Sequence, residues 1–288
     1  RQYCADSTSL FTNPISVCAV SQEQVPTRMD PRAERRICVT LSHLASELSK
    51  RPAPVQCADT SDASSLDVRE LTSSFFFPRY AEDRMKVFEL LRTNPIFRLQ
   101  HGLSLPEQRA LCHRQCLALA ASGLFHCDDM ITDSTRFFAR LEPLCYHEAS
   151  LNLRFGVHIG LFAGTILTMG TERHQHLIPL INSYKLRGCF AMTELGHGSD
   201  VQGLLTEAVY DKATGEFVMR TPCDLAQKFW IGGLAEYGNI ATVFAQLIID
   251  GKRYGVHAFV VPLRDEQDRC LPGVHIEDVG VKQGANGV

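Results

Sequence analysis

Two stretches of this chain bring together residue types that can hold a flat, polar ligand. The first is Cys189-Phe190-Ala191-Met192-Thr193-Glu194-Leu195-Gly196-His197-Gly198-Ser199-Asp200-Val201, an apolar strand running into a glycine-rich turn. The second is Gln227-Lys228-Phe229-Trp230-Ile231-Gly232-Gly233, which sets the chain's only Trp beside a glycine pair. Glycine lets backbone approach a ligand where a Cβ would collide. A Thr hydroxyl both donates and accepts toward a polar ring edge. An aromatic side chain covers a flat face. In this combination they suit a bound flavin.

Thr193-Glu194-Leu195-Gly196-His197-Gly198-Ser199-Asp200 resembles the flavin loop of the acyl-CoA dehydrogenase and acyl-CoA oxidase superfamily. The Trp230 stretch follows at that family's spacing. Dehydrogenases typically carry Ala between the two glycines, where this chain has His197. The Gly-His-Gly form is similar to the peroxisomal acyl-CoA oxidases, especially the plant and algal ones. The resemblance covers roughly residues 80–288. It implies an α+β, acyl-CoA dehydrogenase-like fold: an N-terminal helical domain, then a middle β-barrel or sandwich domain, truncated before the C-terminal helical bundle. It implies FAD as cofactor and oxidation of a fatty acyl-CoA to trans-2-enoyl-CoA. Electrons would pass to molecular oxygen, giving hydrogen peroxide, in the first step of peroxisomal β-oxidation. The alternatives are a dehydrogenase using an electron-transfer flavoprotein, or a non-catalytic truncated product. A homodimer is implied for the full-length protein.

The resemblance also assigns roles. Thr193 would touch the isoalloxazine through its hydroxyl and amide, Gly232 through its backbone, and Trp230 through its ring. Gly196 and Gly198 would supply backbone angles closed to other residues. Ser199 would lie between flavin and the pantetheine arm, and so would also meet substrate. Asp200 would cap the turn, and His197 serves as a class marker. The plain alternatives are a strand-ending Thr193 with a local backbone bond and a Trp230 that fills core. Taking the α proton needs a carboxylate within hydrogen-bond reach and donors at the thioester oxygen. No Glu or Asp here matches the family's base, which is expected beyond Val288. No catalytic residue is therefore assigned, and the fragment alone is expected to be inactive.

Residues 1–67 read as a largely disordered leader, rich in Ser, Thr, Pro, Ala and Asp. Within it, Arg36-Ile37-Cys38-Val39-Thr40-Leu41-Ser42-His43-Leu44 resembles a type-2 peroxisomal targeting nonapeptide. Arg36, Ile37, His43 and Leu44 are the residues an import receptor would read, and such a signal is an address rather than an anchor. Met29 is a plausible start, so residues 1–28 are expected to fall outside the mature protein.

The elements that must position the site follow from periodicity. Residues 68–187 read as helical. Ser104-Leu105-Pro106-Glu107 is a capping box opening a helix that stops near Gly123 and carries Cys112, Cys116 and Leu119 on one face. Further helices are expected over 129–141, ended by Pro143, over 150–169, and over 171–185. Gly156, Gly160 and Gly164 form a ladder expected to admit a close neighbour, because Gly in a helix costs about 1 kcal/mol against Ala. His158 and His174 read as core-edge or surface residues. Residues 188–288 switch to strands: 206–210 with 216–220, then 241–249 with 255–263 across Asp250-Gly251, a type I′ dipeptide, and 274–279.

Composition narrows the classes. Hydrophobic residues at 45% and charged residues at 21% are globular values. A net charge of −3 with scattered Lys and Arg argues against nucleic acid. The longest apolar run, Phe155 to Met169, is shorter than the ~18–20 residues of a bilayer span, so no membrane partner is expected. The 11 cysteines have no C-x-x-C spacing and read as reduced thiols, with no metal site.

Overall fold

The computed structural model describes residues 15–17, 67–72, 74 and 79–288. The 36–44 address lies outside the described residues. The short helix Val68–Leu71, capped by the Asp67 carboxylate, belongs to one compact unit; residues 79–288 belong to another.

In the latter, helices come first. Ala81–Thr93, Leu105–Ala121, Asp129–Thr132, Ser134–His147 and Ala149–Met169 surround one hydrophobic core. The Ser104 capping box forms, with the Ser104 amide donating to Glu107 Oε2 at 2.8 Å. Cys112, Cys116 and Leu119 are all buried, as their spacing requires. Arg140, itself buried, clamps three helices: it reaches Asp83 at 2.6 Å and Asp129 at 2.9 Å, and donates to Leu124 O.

Four expectations are corrected. Asp133 ends one short helix and caps the next, so 129–141 is two helices. Pro143 lies inside Ser134–His147 rather than ending it, because packing holds the helix through the missing bond. The 171–185 stretch is a 3₁₀ turn, Glu172–Leu177, followed by the short α-helix Ile178–Asn182. The glycine ladder is not a packing seam. A Cβ on Gly156 or Gly160 would meet nothing within 4 Å, and only Gly164 is pressed, against Met130. Helix Ala149–Met169 is long and apolar enough to cross a membrane by length and composition, but half of that window is buried in the fold. Its middle, Val157–Phe162, is wound as a π-helix.

The strands β2 (Gly188–Ala191), β3 (Glu207–Asp211), β4 (Glu216–Arg220), β5 (Ile240–Ile249) and β6 (Lys252–Pro262) make one sheet. β5 is its spine. One edge pairs with β6 throughout; the other takes β2 at 240–243 and β3 at 246–248, both parallel. β4 folds back on β3. Asp250 and Gly251 both take positive φ, 54° and 74°, as a type I′ turn demands. A three-residue strand β1 (Ile15–Val17) pairs with β7 (Val274–Ile276). The sheet carries a second hydrophobic cluster, containing Cys189, Ala208, Val243 and Val261.

Two buried polar devices hold this arrangement. His158 is 2% exposed, in the core rather than at its edge. Its Nε2–H donates to Ile181 O at 3.0 Å, and its Nδ1 accepts from the Gly188 amide at 3.1 Å. It thereby ties helix Ala149–Met169 to the first residue of β2. Burial pushes its pKa down to about 4. The second device is an ion pair between Glu194 and Lys228, 3.1 Å apart with both side chains out of solvent. Lys228 also donates to Met192 O, and Glu194 accepts from the Leu205 and Thr206 amides and from Thr206 Oγ1.

Both devices give measurable expectations for the full polypeptide that carries this chain. An unfolded His binds its proton near pH 6.5, the folded one only near 4. The unfolded state therefore holds more protons between those values. Stability is fully present above pH 6.5 and falls by about 3 kcal/mol as pH drops to 4. Urea unfolding across that range should show the loss, and His158→Gln should remove most of it; an unchanged slope in the variant refutes the assignment. Lys228→Met strands a buried carboxylate and should destabilise by about 3–5 kcal/mol. A loss below about 1 kcal/mol would mean the pair is dispensable.

Candidate functional site

The two motif stretches meet edge to edge. Phe229 N–H donates to Thr193 O at 3.0 Å, Leu195 N–H to Gln227 O at 2.8 Å, and Gly196 N–H to Leu225 O at 3.0 Å. Glu194 and Lys228 face each other across this short antiparallel contact. Buried charges need partners, and these two supply each other. Burial pushes the Glu194 carboxyl up, but hydrogen bonds from Thr206 and Leu205, with the Lys228 charge, outweigh it and hold the group below the usual range. Burial pulls Lys228 down to about 8 against the pull of Glu194.

Pinning Glu194 and Lys228 inward leaves their neighbours outward. Trp230 is 64% exposed, so it does not fill core. Its φ of 59° is unusual for a bulky residue, and such strain clusters at ligand sites. Its ring meets Phe229 edge-on at 5.2 Å. Beside it opens a cavity of about 450 Å³, within the usual range for small-molecule sites. Lys228, Trp230, Gly232 and Gly233 form one wall, and Leu153 and Val157 of the long helix another. Val279, Val281 and Val288 close it.

The glycines act differently from their sequence reading. Neither Gly196 nor Gly198 takes a positive φ. Gly196 is needed for close approach instead: a Cβ there would sit 3.2 Å from Leu225 Cβ and 3.3 Å from Leu225 O. At Gly198 a Cβ would only touch Thr193 Cγ2, at 3.6 Å. At Gly232 it would stand 3.3 Å from Val288 Cγ1, inside the cavity wall. Thr193 is half-buried on the ladder, while Gly198 and Ser199 lie exposed beyond it. Asp200 caps the turn, accepting from the Gly203 amide at 3.0 Å. His197 Nδ1 is buried without a partner among the described residues. The cavity is lined by Trp230 and Gly232; Thr193 joins it only through the Phe229 hydrogen bond, and Gly198 and Ser199 are not among its lining residues.

The cavity suits a planar ring with a polar edge: one exposed aromatic, one glycine wall close to its neighbours, and a lining that mixes apolar side chains with Lys228, Lys282 and Gln283. Two carboxylates reach it, Glu277 and Asp278. Glu277 pairs with His275 at 2.8 Å. Asp278 binds Arg109, whose hydrogen bonds offset burial and keep the carboxyl low. Both carboxylates already have side-chain hydrogen-bond partners. Sequence reasoning missed the Glu194–Lys228 pair and these two carboxylates. A signal for the pair did exist, one opposite charge inside each apolar motif. Among the described residues no His, Cys, Asp and Glu cluster could hold a metal ion.

The family model for the acyl-CoA dehydrogenase middle domain matches residues 189–288. The chain is 38% identical over 269 residues to peroxisomal acyl-coenzyme A oxidase 2 of Arabidopsis thaliana, covering 89% of this chain and 39% of that protein. It is 35% identical over 277 residues to an acyl-coenzyme A oxidase of Saccharomyces cerevisiae, covering 93% and 34%. The chain therefore spans about two fifths or less of the length of these relatives. Crystal structures share the fold. Acyl-CoA oxidase 1 of Yarrowia lipolytica superposes with a TM-score of 0.64 at 32% identity, over 70% of this chain and 30% of that one. Acyl-CoA oxidase-2 of Caenorhabditis elegans, bound with FAD, ascaroside-CoA and ATP, gives 0.62 at 30% identity, over 76% and 33%. A helical part running into a curled sheet is the arrangement these proteins share, and the chain belongs to the acyl-CoA dehydrogenase and oxidase superfamily.

Proposed function

We propose that this chain is the flavin-holding part of a peroxisomal acyl-CoA oxidase. Residues 68–187 serve as its helical domain, residues 188–288 as its middle β domain, and residues 1–67 as a leader. One observation carries the reading: the Phe229 to Thr193 hydrogen bond sets Thr193 beside an exposed Trp230 on the rim of a glycine-walled cavity.

Thr193, Trp230 and Gly232 would hold FAD, with Gly198 and Ser199 at its outer edge and Ser199 also meeting the fatty acyl-CoA. When bound, the flavin supplies the hydride acceptor for acyl-CoA oxidation and the route for electrons to molecular oxygen. This chain's own part is to bind and orient. Leu153, Val157, Val279 and Val281 give the cavity apolar surface against which a ring would pack. His197, between Gly196 and Gly198, favours the oxidase over the dehydrogenase, as do relatives named as peroxisomal oxidases. The 36–44 segment would be read by the import receptor, and the whole enzyme would act as a homodimer.

The full polypeptide should release hydrogen peroxide from acyl-CoA with no added acceptor. Reduction of an artificial acceptor without peroxide would assign it to the dehydrogenases. Titrating FAD into apoprotein should quench the part of the Trp emission that Trp230→Phe removes. Trp230→Ala should loosen flavin retention roughly tenfold, the worth of ~1.4 kcal/mol. Unchanged emission on saturation, with unchanged retention in the variant, would place the flavin elsewhere.

A further inference from the structure

Behind the glycine wall lies a second and far smaller cavity, of about 10 Å³. It has room for one water-sized particle. Gly232 and Gly233 line both cavities; Arg154, Tyr184, Arg187, Cys189 and two further glycines, Gly188 and Gly238, form the rest of the smaller one.

Arg154 is the informative residue. It is 4% exposed, on the long helix, with its guanidinium 4.7 Å above the Tyr237 ring. Nη1 donates only to backbone carbonyls, Arg109 O at 3.3 Å and Gly287 O at 3.2 Å. Its Nε is buried and unpartnered among the described residues. The Arg154 side chain packs along the glycine wall: a Cβ on Gly233 would lie 3.7 Å from its Cγ and 3.9 Å from that Nε. No carboxylate pairs with Arg154 among the described residues, whereas the neighbouring Arg187 has Asp268. A buried cation without a counter-charge costs several kcal/mol. The cavity's own acids do not supply one, because burial pushes the Cys189 thiol up to about 12 and the Tyr184 phenol well above its usual value. The Gly232 and Gly233 amides also donate no hydrogen bond among the described residues.

We propose that this cavity is a monatomic-anion site, filled by chloride, with Arg154 Nε as its principal donor and the Gly233 amide as a further free donor in its wall. Its size shuts out phosphate and carboxylates, and water would leave the charge unmatched. The anion braces from behind the same two glycines that wall the larger cavity. The site stands on Arg154 with the Gly233 amide, and neither is assigned to what the larger cavity holds.

Crystals of the full polypeptide grown in sodium bromide provide the test. An anomalous difference peak beside Arg154 Nε is expected. Density without anomalous signal there, or bromide only on surface lysines, overturns the proposal. In solution, chloride should raise the melting temperature saturably, by roughly 2–4 °C over gluconate at matched ionic strength. Arg154→Met should abolish that difference. An equal rise in both salts counts against the site, and the bromide experiment decides the matter if the variant fails to fold.

Discussion

The site depends on one buried ion pair. Glu194 and Lys228 sit on two segments that are far apart in sequence, and theirs is the one side-chain pair of opposite charge that joins them, beside a few backbone hydrogen bonds. Neither charge can be buried alone, so each segment can leave solvent only opposite the other. Replacing such a pair with apolar residues often leaves stability unchanged or improved. Its contribution here is to register. Five donors converge on Glu194 and Lys228's backbone neighbours: Lys228 itself, Thr206 Oγ1, and the amides of Leu205 and Thr206 on the carboxylate, with Phe229 N–H closing on Thr193 O. A shift by one residue would turn every side chain to the other face. Thr193 and Trp230 would then lose their place at the cavity.

What could be read in the sequence was what neighbouring residues decide among themselves. The Ser104 capping box, the Asp250-Gly251 turn and the strands 207–211 and 216–220 are short-range devices, and they form where the sequence puts them. Pro143 and the glycines misled for the opposite reason. Whether a helix survives a proline, or needs a bare backbone at Gly160, depends on what packs there, and that is set by distant elements. The site divides in the same way. Thr193, Trp230 and Gly232 could be picked out by type and spacing. Their mutual position depends on a long-range pair, and the exposure of Trp230 on the strained backbone around it.

That strain is over-determined. On one side of Trp230, Phe229 is fixed to Thr193. On the other, Gly238 N–H donates to Gly233 O at 2.8 Å. Arg264 then gathers three carbonyls of the same loop, Leu234, Ala235 and Gly238. Arg187 takes a fourth, Tyr237 O. A left-handed bulky residue costs on the order of 1–3 kcal/mol and persists only where its surroundings leave it no alternative. Two arginines spent on loop carbonyls supply that constraint, and so keep a large aromatic in solvent where hydrophobicity alone would fold it away.

The long helix Ala149–Met169 connects these parts. Leu153 and Val157 face the larger cavity, Arg154 backs its glycine wall, and His158 holds the start of β2. These four positions fall within six consecutive residues, so they must share less than two turns. In a regular α-helix, 153 and 157 align on one face and 154 and 158 on the next. The π winding begins at Val157 and takes in His158, so it starts midway through these four positions. It widens the turn from there onward, with Phe162 and Ile166 in the helical core. Such a bulge weakens the helix locally and is retained mostly at functional sites. Here one stretch of helix must face a cavity and a core in succession, which an unbroken 3.6-residue period does not satisfy.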